Sequence, residues 1–195
     1  MSSLRKKISV AAQEVYLREG AKGFSMRKVA KEVGVSAPAI YGHFRNKEEL
    51  LNEIVIEGLR ILEEYLKPAL QAETPYTRLV QMTERFLDFA MEQPKYFDFA
   101  FLIPSPDISR FSEEISRPDW STFRFAVEQV AACIEDGSLA RDDPLYTAIT
   151  VWAEVHGLVT LYRTGRFGPD ATLFRQIYRQ SVSRLLQGLK TPAPA

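Results

Sequence analysis

Between residues 25 and 47 the chain carries Ser25, Arg27, Lys28, Ser36, Tyr41, His43 and Lys47 within little more than twenty positions. Hydroxyl, ammonium and guanidinium groups donate hydrogen bonds to phosphate oxygens, and they do so regardless of base sequence. An imidazole can reach a base edge or a nearby phosphate, which makes His43 the best hydrogen-bonding candidate for either. Small residues are interleaved with these donors: Ala37, Pro38, Ala39 and Gly42. They let a backbone come close to base edges, and Ala37 and Pro38 suit contact with a thymine methyl. The chemistry implied is binding to a nucleic acid.

Local pattern says how these side chains are held. Met26, Val29, Ala30 and Val33 fall at i, i+3, i+4 and i+7, one apolar face of a short helix. Ser25 is its N-cap and Gly34 its left-handed stop. Ser36 caps a second short helix with Ala37, Ile40 and Phe44 on its inner face. Helix, glycine-containing turn and helix form a helix-turn-helix, in which the second helix enters the major groove. Asn46 and Glu49 then form a capping box that opens a long helix. Upstream, Leu4, Ile8, Ala11 and Val15 give a supporting helix that stops at Gly20 and Gly23. Arg5, Lys6 and Lys7 crowd its N-terminal end, and Arg27 and Lys28 occupy the first turn of the next helix. Cations there oppose the helix dipole. A phosphate at that position would satisfy both the cations and the free backbone N–H groups.

The whole chain is formally neutral, but its charge is unevenly spread. Residues 1–50 hold ten Lys/Arg against five Asp/Glu, and the remainder holds fifteen against twenty. A basic end on an acidic body suits a nucleic-acid partner. The single cysteine, Cys133, excludes an intrachain disulfide framework and sits in an apolar series that buries it. No apolar run approaches the roughly 20 residues of a membrane span. The N-terminus lacks the apolar core of a signal peptide, so the expected location is cytoplasmic.

Downstream, helical stripes recur without strand signals. Leu51, Ile54, Val55, Gly58, Leu62, Tyr65 and Leu66 share a face of the long helix, and Thr74-Pro75 opens the next. An aromatic run, 96–103, is followed by an amphipathic piece with Ile108, Phe111 and Ile115. A helix is expected over 118–135, another from Asp143-Pro144 and a last one from Asp170. The fold class is all-α, with a three-helix DNA-binding domain over 1–47, a larger helical ligand-binding and dimerisation domain over 48–190, and a disordered tail at 191–195. The total is about nine helices.

The segments F-S-M-R-K-V-A-K-E-V-G-V-S, A-I-Y-G-H-F and K-E-E-L-L, over residues 4–51, resemble the DNA-binding domain of the TetR family of bacterial transcriptional regulators. The run Y-x-H-F-x-x-K-E-E-L-L is the most specific part of the match. The resemblance implies phosphate anchoring by Tyr41 and Lys47, and DNA contact at Ser25, Arg27 and Ser36. The stretch Trp152 to Leu158 resembles the Trp-x-x-x-His-Gly signature of one subgroup of the family's C-terminal domains. There Gly157 would permit a close helix crossing, and His156 would face either core or ligand.

The residues argue against an enzyme and need no cofactor or metal: the two histidines are His43 and His156, and no nucleophile–base or metal-ligand set is present. The aromatics Phe86, Phe89, Phe97, Phe101, Phe123 and Trp152, with His156, form either an ordinary helical core or the wall of a small-molecule site. Val151, Leu158 and Leu161 make a second apolar strip on their helix. Together with Gly157 and with Ile177, Ser181 and Leu185 of the last helix, they are the candidate dimer interface. The expected function is a homodimeric repressor on a double-stranded, pseudo-palindromic operator, released by a small apolar or aromatic effector. The alternative is the same DNA-binding fold with a body that binds a protein partner.

Overall fold

The computed structural model describes residues 3–102 and 121–190. Nine α-helices, one 3-10 turn and one π-helical turn account for the regular structure among the described residues, with no strand. The expected amphipathic piece with Ile108, Phe111 and Ile115, the opening of the helix at Pro118, and the tail lie outside them. By contact, the chain falls into two units, whose described parts are residues 3–60 with 93–102, and residues 61–92 with 121–190.

The first unit contains α1 (Ser3–Gly23), α2 (Met26–Val33), α3 (Ala37–Tyr41) and most of α4 (Lys47–Leu66). Helix α6 (Pro94–Phe97) and the π-helical turn Asp98–Leu102 complete it. Ile8, Val15, Val29, Ile40, Leu50 and Ile54 are buried in one core from the apolar stripes of their helices, and Phe44 joins them from the turn after α3, which ends at Tyr41 rather than reaching Phe44. Gly20, with φ +68 and ψ 178, breaks α1 in a conformation that only glycine adopts readily. Phe24 N then donates to the Gly20 carbonyl at 3.0 Å, and the chain turns into α2.

The expected boundary at residue 47/48 does not coincide with the contact division. Burial is the reason. Phe99 is fully enclosed in the first unit's core, with its ring 5.3 Å from that of Tyr16. Lys95 pairs with Glu14 of α1. At Gly58 of α4, a Cβ would lie 3.2 Å from the Tyr96 carbonyl oxygen, so the glycine lets α4 and α6 meet.

The second unit holds the end of α4, a 3-10 turn (Lys67–Gln71), α5 (Pro75–Glu92), α7 (Ser121–Glu135), α8 (Pro144–Arg163) and α9 (Ala171–Gly188). Helix α5 packs on α7 and α8, and α8 on both α7 and α9. The expected caps are present: Asp143 Oδ1 accepts from Leu145 N at 2.8 Å, and Asp170 Oδ1 from Thr172 N at 2.9 Å. Thr74 and Thr77 bond each other's backbone N–H at 3.2 and 3.1 Å and start α5. Inside, the Tyr178 hydroxyl donates to the Thr83 carbonyl at 2.7 Å, joining α9 to α5. Burial and the nearby carboxylates of Glu84, Asp88 and Glu154 push that phenol's pKa far up, so it remains a donor. The Tyr162 and Phe174 rings stack 4.1 Å apart. Cys133 is fully buried, and burial raises its thiol pKa, as befits an inert side chain.

Candidate nucleic-acid interface

The α2–turn–α3 unit is capped at every point that the sequence marks. Ser25 Oγ accepts from Lys28 N at 3.3 Å and Ser36 Oγ from Ala39 N at 3.4 Å. Both hydroxyls accept these bonds and so keep their own hydrogen to donate. Gly34 takes the left-handed conformation at φ +78, and its N–H and that of Val35 both return to the Ala30 carbonyl at 3.0 Å. Helix α3 is only five residues long and would be marginal alone. Fully buried Ile40 and Phe44 anchor it from below.

On the outer side, Arg27, Lys28, Ser36, Pro38 and Tyr41 are exposed, Tyr41 at 53%. Ser25, His43 and Lys47 are half-buried, as is Ala37, which packs partly on the core. Lys47, at the first position of α4, has its ammonium 3.4 Å from the Ala21 carbonyl and 5.7 Å from the Phe24 ring centroid. That tether holds a cation beside the motif. Arg27 has no carboxylate partner among the described residues, whereas Lys28 Nζ lies 2.7 Å from Glu19 and lowers that carboxyl's pKa. Lys6 and Lys7 are exposed; Arg5 is not, and it pairs with Glu53 of α4. A reading in which all three line phosphates does not fit Arg5, whose guanidinium is taken up by Glu53 and the His43 carbonyl. No periodicity within α1 could have signalled a partner 48 residues away.

The capping box differs in one atom from the expected form. Asn46 Oδ1 accepts from Glu49 N at 2.7 Å, as expected. Glu49 Oε2 reaches the N–H of Arg45 rather than that of Asn46, at 2.8 Å. This backbone bond, with the Arg45 guanidinium at 3.0 Å, lowers the Glu49 pKa.

The remaining candidates divide between the units. Phe97 and Phe101 belong to the first, with ring centroids 5.2 Å apart. Phe86, Phe89, Phe123, Trp152 and His156 belong to the second. Trp152 stands between Phe123 at 5.7 Å and His156 at 5.5 Å. Desolvation lowers the His156 pKa, which favours the neutral ring at pH 7. One turn further along α8, the Thr160 hydroxyl is buried without a hydrogen-bond partner, a group that sequence reasoning did not single out.

Of the dimer candidates, Leu161 is 45% exposed, and Gly157, Leu158, Ile177, Ser181 and Leu185 are half-buried. Val151 differs: it is 5% exposed and lies on the inner face of α8 with Thr147, Val155 and Val159, at four-residue spacing. Among the described residues no close crossing is made at Gly157, where a Cβ meets nothing within 4 Å.

The described helices include none long and apolar enough to cross a membrane. Two family models match: "Bacterial regulatory proteins, tetR family" over residues 8–54, and "Tetracyclin repressor-like, C-terminal domain" over 79–187. An uncharacterised HTH-type transcriptional regulator, YobS of Bacillus subtilis, is 26% identical over 98 residues, which are 50% of this chain and 51% of that one. Tetracycline repressor protein class D of Escherichia coli is 34% identical over 65 residues, 33% of this chain and 30% of the repressor. The chain thus spans about half or less of these curated relatives. Among solved structures, FadR of Bacillus subtilis, in complex with stearoyl-CoA, superposes with a TM-score of 0.77 at 17% identity, covering 94% of this chain and 98% of that one. The second family model alone spans more than half of the sequence, and the chain belongs to the TetR family of bacterial regulatory proteins.

Proposed function

We propose that this protein is a cytoplasmic transcriptional repressor that binds double-stranded DNA through α2, α3 and the first turn of α4. A capped helix-turn-helix, with exposed Tyr41 at its tip and Arg27 lacking a carboxylate partner, carries this reading. Tyr41, Lys47, Ser25 and Ser36 donate to phosphates, while Arg27 and Lys28 place a phosphate at the N-terminus of α2. Ala37, Pro38 and His43 meet base edges. One recognition helix covers few base pairs, so the protein acts as a homodimer on half-sites roughly 34–36 Å apart or multiples of that spacing. The open Cβ position at Gly157 and the exposed Leu161 support α8 and α9 as the pairing surface.

A small apolar or aromatic effector in the second unit releases the operator. Trp152, Phe123 and neutral His156, with the unpartnered Thr160 hydroxyl on the same face of α8, supply an apolar wall with few polar groups. They also favour the Trp-x-x-x-His-Gly subgroup reading. That the related fold of FadR was solved with stearoyl-CoA supports an apolar ligand within this architecture. Helix α4 carries the signal, since it continues from one unit into the other. A coupling of roughly 1–3 kcal/mol would change operator affinity several-fold to about a hundredfold.

Footprinting the DNA upstream of the protein's own gene tests the reading. A protected pseudo-palindrome, lost on adding an apolar effector from a screen, is expected. Binding without sequence preference would contradict it.

A further inference from the structure

Three consecutive cations begin α1, and they divide between two roles. Lys6 and Lys7 are exposed, whereas the Arg5 guanidinium is committed on every edge. Its Nε donates to both carboxylate oxygens of Glu53, at 3.0 and 2.8 Å, and its Nη2 donates to the same group. Its Nη1 donates to the backbone carbonyl of His43 at 2.5 Å, and its Cζ lies 4.2 Å from the Phe44 ring centroid. One planar group therefore joins α1, the turn that leaves α3, and α4. The arrangement is partly shielded, with the two side chains 29% and 19% exposed.

The turn it holds is the one that needs holding. Helix α3 has five residues, and its end is fixed from inside by the Phe44 side chain and by bonds back to Pro38 and Ile40. Tyr41 and His43, two of the DNA-facing candidates, sit at this end. Lysine could not reproduce the contacts, because a single ammonium cannot fork to a carboxylate and a carbonyl while stacking on a ring. We propose that Arg5 is a positioning residue for DNA reading: oriented by Glu53, it fixes the turn after α3 so that Tyr41 and His43 meet the groove in one geometry, and it does not itself touch DNA. This rests on the DNA-binding reading above. Its signature is loss of sequence discrimination without loss of the charged phosphate contacts that set the salt slope.

The test compares affinity for the footprinted upstream fragment with affinity for random-sequence DNA of equal length, in a salt series, for wild type, Glu53→Gln, Arg5→Met and Arg5→Lys. Failure of wild type to prefer its own fragment would remove the DNA-binding reading itself, independently of Arg5. Given that preference, Glu53→Gln should lower the ratio of specific to random binding by about tenfold, comparable to one good base contact. Were charge all that mattered, removing this carboxylate would tighten binding to both DNAs. Arg5→Met should lower the ratio similarly and leave the salt slope on random DNA unchanged; a slope smaller by about one would instead make Arg5 a phosphate ligand and overturn the proposal. If Arg5→Met fails to melt cooperatively, Arg5→Lys decides. It keeps the charge but not the fork, so a reduced ratio supports positioning and a wild-type ratio refutes it.

Discussion

The two units differ in where they leave positive charge. In the second, Arg179 pairs with Glu84 at 2.9 Å and Arg175 with Asp88 at 2.8 Å, both linking α9 to α5, while Arg141, Arg166 and Arg184 stay exposed without carboxylate partners among the described residues. In the first, Lys6, Lys7 and Arg27 remain exposed without carboxylate partners among the described residues. Lys47 bonds a carbonyl rather than an acid. Ion pairing is available to the first unit, as Arg5–Glu53 and Lys28–Glu19 show, so the unpaired cations at its helix starts do not reflect a lack of acids nearby. Positive charge left at the starts of α1 and α2, where the helix dipole disfavours it, makes physical sense when an external anion completes the site. On the proposed reading, charge near α2 and α3 is directed at DNA, whereas the Arg175 and Arg179 pairs between α5 and α9 hold the fold.

The comparison can be broken from several sides. The largest effect should come from Phe99→Ala, which empties the position where residues 93–102 plug the first unit's core. A loss of about 3–5 kcal/mol is expected. Thermal unfolding followed by circular dichroism would show it, and a change below about 1 kcal/mol would mean that the segment merely rests on the unit. Next is Leu161→Glu. The side chain is 45% exposed, so the chain should fold normally, yet a charge should prevent two copies from pairing there. Sedimentation at low concentration should give monomers; persistent dimers would place the interface elsewhere. The smallest effect should follow Arg179→Met. An exposed pair contributes roughly 0–1 kcal/mol, and its loss should leave DNA binding unaltered. A weakened DNA complex would contradict the division of roles.

Much of the motif was legible because its determinants are local. Ser25, Gly34, Ser36 and Asn46 each act within four residues, and the caps occur as the sequence implies. Long-range features were not legible. Phe99 sits in an aromatic run that reads as part of the body, yet it packs on Tyr16 of α1. Arg5 reads as one of three phosphate ligands, but its partner Glu53 lies on another helix. Nothing in the spacing of either residue encodes such pairing. Val151 reads as part of the outer strip of α8 yet is 5% exposed, because an apolar helix of this length offers more than one plausible stripe. The buried Thr160 hydroxyl had no signal at all, since threonine in a helix ordinarily bonds its own backbone.

The central claim is that the surplus positive charge around α3 meets phosphate. It is tested most directly by the salt dependence of DNA affinity for wild type and for Arg27→Gln/Lys47→Gln, measured by filter binding on the footprinted fragment. Removing two phosphate contacts should reduce the slope of log K against log salt by about 2 and weaken binding at every DNA sequence. An unchanged slope and affinity would contradict the account.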